Sequence, residues 1–112
     1  MTPTSTHSDT NLAVLYTTIN SLKEAERLAK EALETRFVAC INIIPGTQSM
    51  YLLEDTIKAV VECVMIFKTT PEFLPKLESW LLEHHPYDLP AVLKWDVASS
   101  EGFSKYVSTS VH

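Results

Sequence analysis

A run of thirteen strand-forming residues, IKAVVECVMIFKT, occupies positions 57–69. At about 3.3 Å per residue such a strand reaches roughly 40 Å, whereas a compact chain of this length has a diameter of about 34 Å. A shorter strand is predicted at 48–53, and a turn at 54–56 joins the two. The resulting hairpin is expected to overhang its own domain. Its unpaired edges favour a homo-oligomer built by sheet extension between subunits.

Alternation along this run divides its side chains between two faces. One face is apolar and suits a hydrophobic core: Val61, Cys63, Met65 and Phe67. The other face mixes charge with apolar bulk: Lys58, Val60, Glu62, Val64, Ile66 and Lys68. Such a mixture is more typical of a subunit interface than of a surface in open solvent.

The first half of the chain predicts a strand, a helix and a second strand. Residues 12–18 form a continuous apolar run that ends in threonines and indicates a buried strand. Ser21 followed by Glu24 is a capping box, and a helix to about residue 34 follows it. The predicted apolar face of this helix comprises Leu22, Ala25, Ala29, Ala32 and Leu33. Residues 37–44 form the second strand, which Pro45 and Gly46 are expected to close in a type II turn.

The second half of the chain repeats this order. A helix is predicted to begin near Phe73, because Pro75 is tolerated only in a first turn. Residues 91–98 predict a final core strand, and Ser100 opens a short C-terminal helix. Two strand-helix-strand halves match the split βαβ arrangement. We therefore predict an α+β fold, a ferredoxin-like βαββαβ sandwich with a long overhanging β-hairpin and a short C-terminal helix.

Composition limits the classes of protein to which the chain can belong. The first ten residues, MTPTSTHSDT, are polar and predict a disordered N-terminal tail at 1–10. The length of 112 residues predicts a single domain at 11–112. The net charge of −5, with dispersed basic residues, argues against a nucleic-acid partner. No stretch approaches the ~20 apolar residues that span a membrane, and the first residues lack the pattern of a signal peptide, so the cytoplasm is expected.

Glycine and cysteine content further restricts the chemistry. Two glycines in the whole chain cannot supply a phosphate-cradling loop of the GxGxxG type. Cys40 and Cys63 lie within apolar runs and are expected to be buried free thiols. Neither has a histidine near it in sequence, which disfavours a Cys/His nucleophile.

The segment LEHHPYDLPAVL, at 82–93, carries the strongest local signal for a site. Histidine imidazoles suit Cu, Zn and Ni, but adjacent histidines on a helix project about 100° apart. His84 continues an apolar stripe and favours simple packing at the helix end. His85 precedes Pro86, where the helix must end, and suits a structural role and a ligand role equally. Tyr87 and Asp88 supply either oxygen ligands or ordinary turn chemistry.

Four motifs occur in one order along the chain: VLYT at 14–17, ACINIIPG at 39–46, SMY at 49–51 and HPYDLP at 85–90. Together they resemble the CutA family of divalent-cation tolerance proteins, over about residues 12–111. The patterns ACxNIxPG and HPYxxP in one short chain make this resemblance specific.

The resemblance implies a ferredoxin-like homotrimer in which long hairpins extend neighbouring sheets. It also implies a likeness to the nitrogen-regulatory PII proteins, with a ligand at clefts between subunits. The CutA family is described as binding copper or other divalent cations, without an established reaction. Its proposed metal site maps onto Tyr16, where the family has Cys, onto the pair His84 and His85, and onto Ala91, where it has Glu. Two of these three ligands are absent, which implies weak binding.

Three hypotheses follow from the sequence. In the first, a cytoplasmic non-enzymatic homotrimer binds Cu(II), another divalent cation or a small effector in an intersubunit cleft. The candidate metal ligands are His85, His84 and Tyr16, and the candidate cleft residues are Glu62, Lys68, Tyr87 and Tyr51, with Cys40 nearby. In the second, a PII-like signalling or protein-interaction trimer has lost metal binding. In the third, an enzyme uses Glu62, Lys68 and Tyr87, although no nucleophile is evident.

Overall fold

Four antiparallel strands form one sheet, in the order β2-β3-β1-β4. The computed structural model describes residues 11–112, and the predicted disordered tail lies outside them. The strands are β1 (Asn11–Ile19), β2 (Cys40–Leu53), β3 (Thr56–Thr69) and β4 (Leu93–Ala98). The helices are α1 (Leu22–Glu34), α2 (Leu74–His84) and α3 (Glu101–Ser110). This order confirms the predicted ferredoxin-like fold with an added C-terminal helix.

The hydrophobic core lies between one face of the sheet and the helices α1 and α2. Its fully buried side chains include Leu15, Ile19, Met65, Phe67, Leu28, Leu77 and Leu81. The apolar face of α1 differs from the prediction, because Leu28 is fully buried whereas Leu22 and Leu33 are exposed. The buried positions of α1 follow the i, i+3, i+4, i+7 spacing, and the two exposed leucines lie at its ends.

The N-terminus of α1 forms half of the predicted capping box. Ser21 Oγ accepts a hydrogen bond from the backbone N–H of Glu24 at 3.1 Å. The Glu24 carboxylate pairs with Arg27 at 2.8 Å, and Arg27 also meets Glu31 at 3.2 Å. These exposed ion pairs contribute little to stability, so the Ser21 cap is the main interaction that stabilises the N-terminus of the helix.

β2 continues through Pro45 and Gly46, so the predicted type II turn at these residues is wrong. The register of β2 against β3 shifts between Ile44 and Thr47, which makes Pro45 and Gly46 a β-bulge. Gly46 has φ +76°, and a proline without an N–H is tolerated at a bulge. Because the bulge adds one residue, odd-numbered side chains beyond it share a face with even-numbered side chains before it.

Glu54 and Asp55 join β2 to β3 in a two-residue turn with φ values of +47° and +68°. Two positive φ values are typical of a type I′ hairpin turn. The hairpin projects past the helices, and the molecule measures 54 × 30 × 23 Å, so the predicted overhang is confirmed. In the single chain, the far end of the hairpin exposes apolar side chains on both faces: Met50, Leu52, Leu53, Ile57, Val60 and Val61.

The predicted core strand at 91–98 is wrong in its burial, because β4 lies at an edge of the sheet. It begins at Leu93, and the side chains of Leu93 and Trp95 are about half exposed. α3 packs on the sheet face turned away from α1 and α2, where Phe103 meets Lys68 and Val107 is fully buried. We call the rest of that surface, which α3 leaves uncovered, the open face.

The predicted start of α2 is confirmed within one residue, with Phe73 as N-cap and Pro75 in the first turn. The prediction of two buried free thiols is confirmed for Cys63 and wrong for the burial of Cys40. Cys63 is buried in the core, whereas Cys40 is partly exposed, and both are free. Cys40 is the first residue of the edge strand β2, which explains its exposure.

Candidate functional site

An open groove of about 1050 Å³ crosses the open face of the sheet. β1 and the hairpin form its floor, and the loop at 85–92, which follows α2, forms its wall. Its lining is rich in tyrosine and carboxylate side chains: Tyr16, Tyr51, Tyr87, Glu62 and Asp88. The bulge in β2 brings Tyr51 to this face, because it reverses the alternation of side chains along the strand.

His85 anchors the loop beneath the groove. Its side chain is buried, with 6% exposed, and Nε2 lies 2.8 Å from the carbonyl oxygen of Thr18. Its Nδ1 accepts a hydrogen bond from the backbone N–H of Tyr87 at 3.1 Å. Since a carbonyl only accepts and an N–H only donates, His85 is the neutral tautomer with its proton on Nε2.

Burial also keeps His85 neutral. Desolvation lowers the pKa of His85 below its usual value, and the Thr18 carbonyl and the Glu62 charge oppose this only in part. Both ring nitrogens are already used, so a metal ion on either would first have to displace an internal hydrogen bond. His85 therefore has the geometry of a loop anchor in the isolated chain.

Tyr87 and Glu62 meet at the centre of the groove. The Tyr87 hydroxyl donates a hydrogen bond to Glu62 Oε2 at 2.6 Å. Burial, followed by the hydrogen bond and the charge of Glu62, raises the pKa of Tyr87 far above its usual value. Only 8% of Glu62 is exposed, so this contact supplies a protein partner for a buried carboxylate. Two of the four residues that the sequence proposed for the cleft are thus in direct contact.

Tyr16 and Tyr51 line the same groove from different strands. Tyr16 lies on β1 and is partly buried, with its ring edge-on to Trp95 at a centroid distance of 6.2 Å. Tyr51 lies on β2 and is 49% exposed. Four of the proposed site residues, Tyr16, Tyr51, Glu62 and Tyr87, therefore share one surface.

Lys68 and His84 lie away from the groove. Lys68 follows Glu62 by six residues on β3, a separation of roughly 20 Å, and its Nζ lies 4.0 Å from Cys40 Sγ beneath α3. His84 is exposed on α2, with its ring stacked on Trp80 at 4.4 Å and its Nδ1 2.7 Å from the Trp80 carbonyl. The isolated chain brings neither of them to Tyr87.

Metal-binding side chains do not converge within residues 11–112, where no group of three His, Cys, Asp or Glu could hold an ion. Tyr16 and Ala91, which occupy the positions where the family resemblance implies a thiolate and a carboxylate ligand, both line the groove. The donors that one chain supplies between residues 11 and 112 therefore do not fit a resident metal ion.

Sequence reasoning missed the Thr18 carbonyl and Ser49 as parts of this region. A backbone carbonyl leaves no signal in residue type. Ser49 gave a weak signal, since it shares a face with Tyr51 once the bulge is recognised. The sequence indicates Asp88 only as an oxygen ligand or a turn residue, and the structure places it in the groove lining.

The sheet order, the projecting hairpin and the groove define a class, the ferredoxin-like α+β proteins with an extended hairpin. The family described as CutA1 divalent ion tolerance protein matches residues 13–110, so the chain belongs to the CutA1 family. The divalent-cation tolerance protein CutA of Thermus thermophilus is 33% identical, and the match covers 84% of this chain and 89% of that protein. The structure of CutA from Synechococcus elongatus is 36% identical over 92% of both chains, with a TM-score of 0.87.

A plant relative differs from this chain in length. Protein CutA, chloroplastic, from Arabidopsis thaliana is 30% identical over 84% of this chain and 50% of that protein. The chain thus spans about half the length of this relative. None of the helices between residues 11 and 112 is long and apolar enough to cross a membrane.

Proposed function

We propose that this CutA1-family chain is a non-enzymatic homotrimer of the cytoplasm that acts in tolerance to divalent cations, copper among them. It binds a divalent cation or a small effector at clefts between subunits. The observation that carries the proposal is the groove on the open face, which has the buried Glu62 carboxylate on its floor and Tyr87 on its wall.

The projecting hairpin supports assembly. β2 and β4 are the edge strands of the sheet, and each has one side without a partner strand among residues 11–112. Unpaired strand edges are templates for pairing with another copy. Leu52 and Ile57, near the tip of the hairpin, are 74% and 69% exposed, and a neighbouring subunit would bury them. In this proposal each groove lies next to such a contact.

A bound metal would need donors from a neighbouring subunit. Glu62 and Asp88 are the carboxylates that one chain offers in the groove lining, and His85 has both nitrogens in internal hydrogen bonds. Sites with so few donors bind divalent ions weakly and with little selectivity. We therefore expect metal binding to require the assembled trimer.

A second candidate function is a PII-like signalling or protein-interaction trimer without a metal site. The incomplete donor set favours it, since no three ligating side chains converge in the described part of the chain. The tip of the hairpin would then serve as a contact surface for a partner protein.

Calorimetric titration of Cu(II) and Zn(II) separates the two candidates. The first predicts binding to wild type that is lost or weakened in His85→Ala and in Glu62→Gln. His84→Ala is the matched control, because His84 lies outside the groove. Micromolar metal binding that survives His85→Ala and Glu62→Gln would exclude this site, and no binding at all would favour the second candidate. Thermal melting of each variant checks that the fold is intact.

A further inference from the structure

The groove contains negative charge without a balancing cation. Glu62 and Asp88 are its charged lining residues, and the other lining side chains are uncharged at neutral pH. Lys58 stands on the same face, about 13 Å from Glu62 along β3. It forms no ion pair with any residue of the described chain. The electrostatic potential of the groove therefore favours a positively charged ligand.

One oxygen of the buried Glu62 carboxylate remains available. Oε2 accepts the hydrogen bond from Tyr87, whereas Oε1 has no hydrogen-bond partner in residues 11–112. Oε1 is also not sealed from solvent, because no fully buried side-chain oxygen of the described chain lacks a partner. Because Glu62 as a whole residue is only 8% exposed, its carboxylate has lost part of its hydration, and a bound cation would offset that loss.

The rest of the groove suits an organic cation. The faces of tyrosine rings attract ammonium and guanidinium groups, and Tyr16, Tyr51 and Tyr87 line the same groove as the Glu62 carboxylate. Apolar side chains of the lining, among them Val60 and Leu89, can cover an aliphatic chain. A bare divalent ion gains nothing from such side chains and needs more oxygen or nitrogen donors than the groove supplies.

We infer that the groove binds a small aliphatic amine or diamine, with its ammonium group on Glu62 Oε1 and its methylene groups against the tyrosines and apolar side chains. This inference rests on the proposed effector site and names the chemical class of its ligand. The Tyr87 hydroxyl positions the carboxylate by holding Oε2, which leaves Oε1 directed to the ligand.

Calorimetry on the full chain tests this inference with three probes of equal length: cadaverine, pentanediol and glutarate. Cadaverine is expected to bind, with an affinity that falls as salt is added, whereas pentanediol and glutarate are not. Glu62→Gln keeps an acceptor for Tyr87 but removes the charge, so it should weaken cadaverine binding by about tenfold or more. Glu72→Gln, the same change at an exposed position outside the groove, should leave binding unchanged.

Three results would overturn the inference: no cadaverine binding to wild type, equal binding of glutarate, or undiminished binding in Glu62→Gln. If Glu62→Gln does not fold, Asp88→Asn in the exposed loop serves as the second variant and should also weaken binding. Undiminished binding in Asp88→Asn, together with indifference to salt, would count against an electrostatic site.

Metal titrations on the same preparations separate this inference from the proposed function. Cu(II) or Zn(II) binding at the groove without cadaverine binding keeps the proposed function and rejects the ligand class. Cadaverine binding without metal binding supports the inference and the second candidate function. The absence of both rejects the groove as a binding site.

Discussion

The Tyr87 hydroxyl donates a hydrogen bond to Glu62 Oε2 across 2.6 Å and thereby joins the loop after α2 to the middle of β3. Such short contacts are typical of hydrogen bonds to an ionised acceptor. The backbone N–H of the same tyrosine is bound to His85 Nδ1, and His85 Nε2 is bound to the Thr18 carbonyl. Two contacts, at Glu62 on β3 and at Thr18 on β1, therefore hold the groove wall to the sheet, and the bond between His85 and Tyr87 stiffens the wall itself before any ligand arrives, which favours preorganised binding.

Replacing Tyr87 with Phe tests this anchor. The variant keeps the ring but leaves the buried Glu62 carboxylate without its protein partner. We expect the free energy of unfolding to fall by about 1–3 kcal/mol. Tyr106→Phe is the matched control, because its exposed hydroxyl makes only a 3.3 Å contact with the Ala39 carbonyl. Urea denaturation measures both, and equal losses in the two variants would show that Glu62 does not depend on Tyr87.

His85 predicts a loss of stability in mild acid. The folded chain holds the pKa of His85 below its usual value, so the unfolded chain takes up a proton first as the pH falls. The stabilisation that the neutral His85 side chain provides is complete above about pH 6.5, the usual pKa of histidine. It is lost progressively as the pH falls from there to the lowered pKa of His85 in the folded state. Protonation of Nδ1 would also remove the acceptor of the Tyr87 backbone N–H, because the new N–H of His85 would point at that donor.

Urea denaturation at a series of pH values measures this effect. His85→Gln should have a lower free energy of unfolding at neutral pH but a flatter dependence on pH. His84→Gln, the same change at an exposed position of α2, is the matched control. Parallel profiles in wild type and His85→Gln would contradict this prediction.

The sequence predicted the order of elements and the overhang because both follow from strong local patterns: the long alternating strand and the capped helix after Ser21. It failed at Pro45 and Gly46, where proline and glycine fit a type II turn and a β-bulge equally well. Only pairing across the sheet distinguishes these two structures. The resemblance to the CutA family grouped Tyr51 with Glu62 and Lys68, but the distance of Lys68 from Tyr87 depends on where the loop after α2 crosses the sheet, and no local pattern records that position.

The exposed end of the hairpin predicts an oligomer that charged residues would disrupt. Leu52 and Ile57 face each other across β2 and β3, and both are largely exposed in the single chain. The double variant Leu52→Glu and Ile57→Lys places opposite charges in contact, which preserves the hairpin while making its surface polar. We expect wild type to be a trimer by light scattering and the double variant to shift toward monomer.

Leu82→Glu provides the control for this experiment. Leu82 is 51% exposed on α2 and lies outside the hairpin, so the variant should keep the wild-type mass. A monomeric wild-type protein at all concentrations would refute assembly through the hairpin. A trimer that persists in the double variant would place the interface elsewhere.

Replacing each of the two glycines with alanine is expected to change the stability of the protein differently. Gly46 has φ +76°, and no heavy atom lies within 4 Å of the position that a Cβ would occupy, so Gly46→Ala introduces backbone strain without a steric clash. Its expected cost is about 1–2 kcal/mol. Gly102 lies in α3 and also has open space around it, so Gly102→Ala should leave stability unchanged or raise it by up to about 1 kcal/mol. Thermal and urea denaturation measure both variants. A loss in Gly102→Ala as large as that in Gly46→Ala would contradict the assignment of the bulge, because the strain would then not depend on the positive φ.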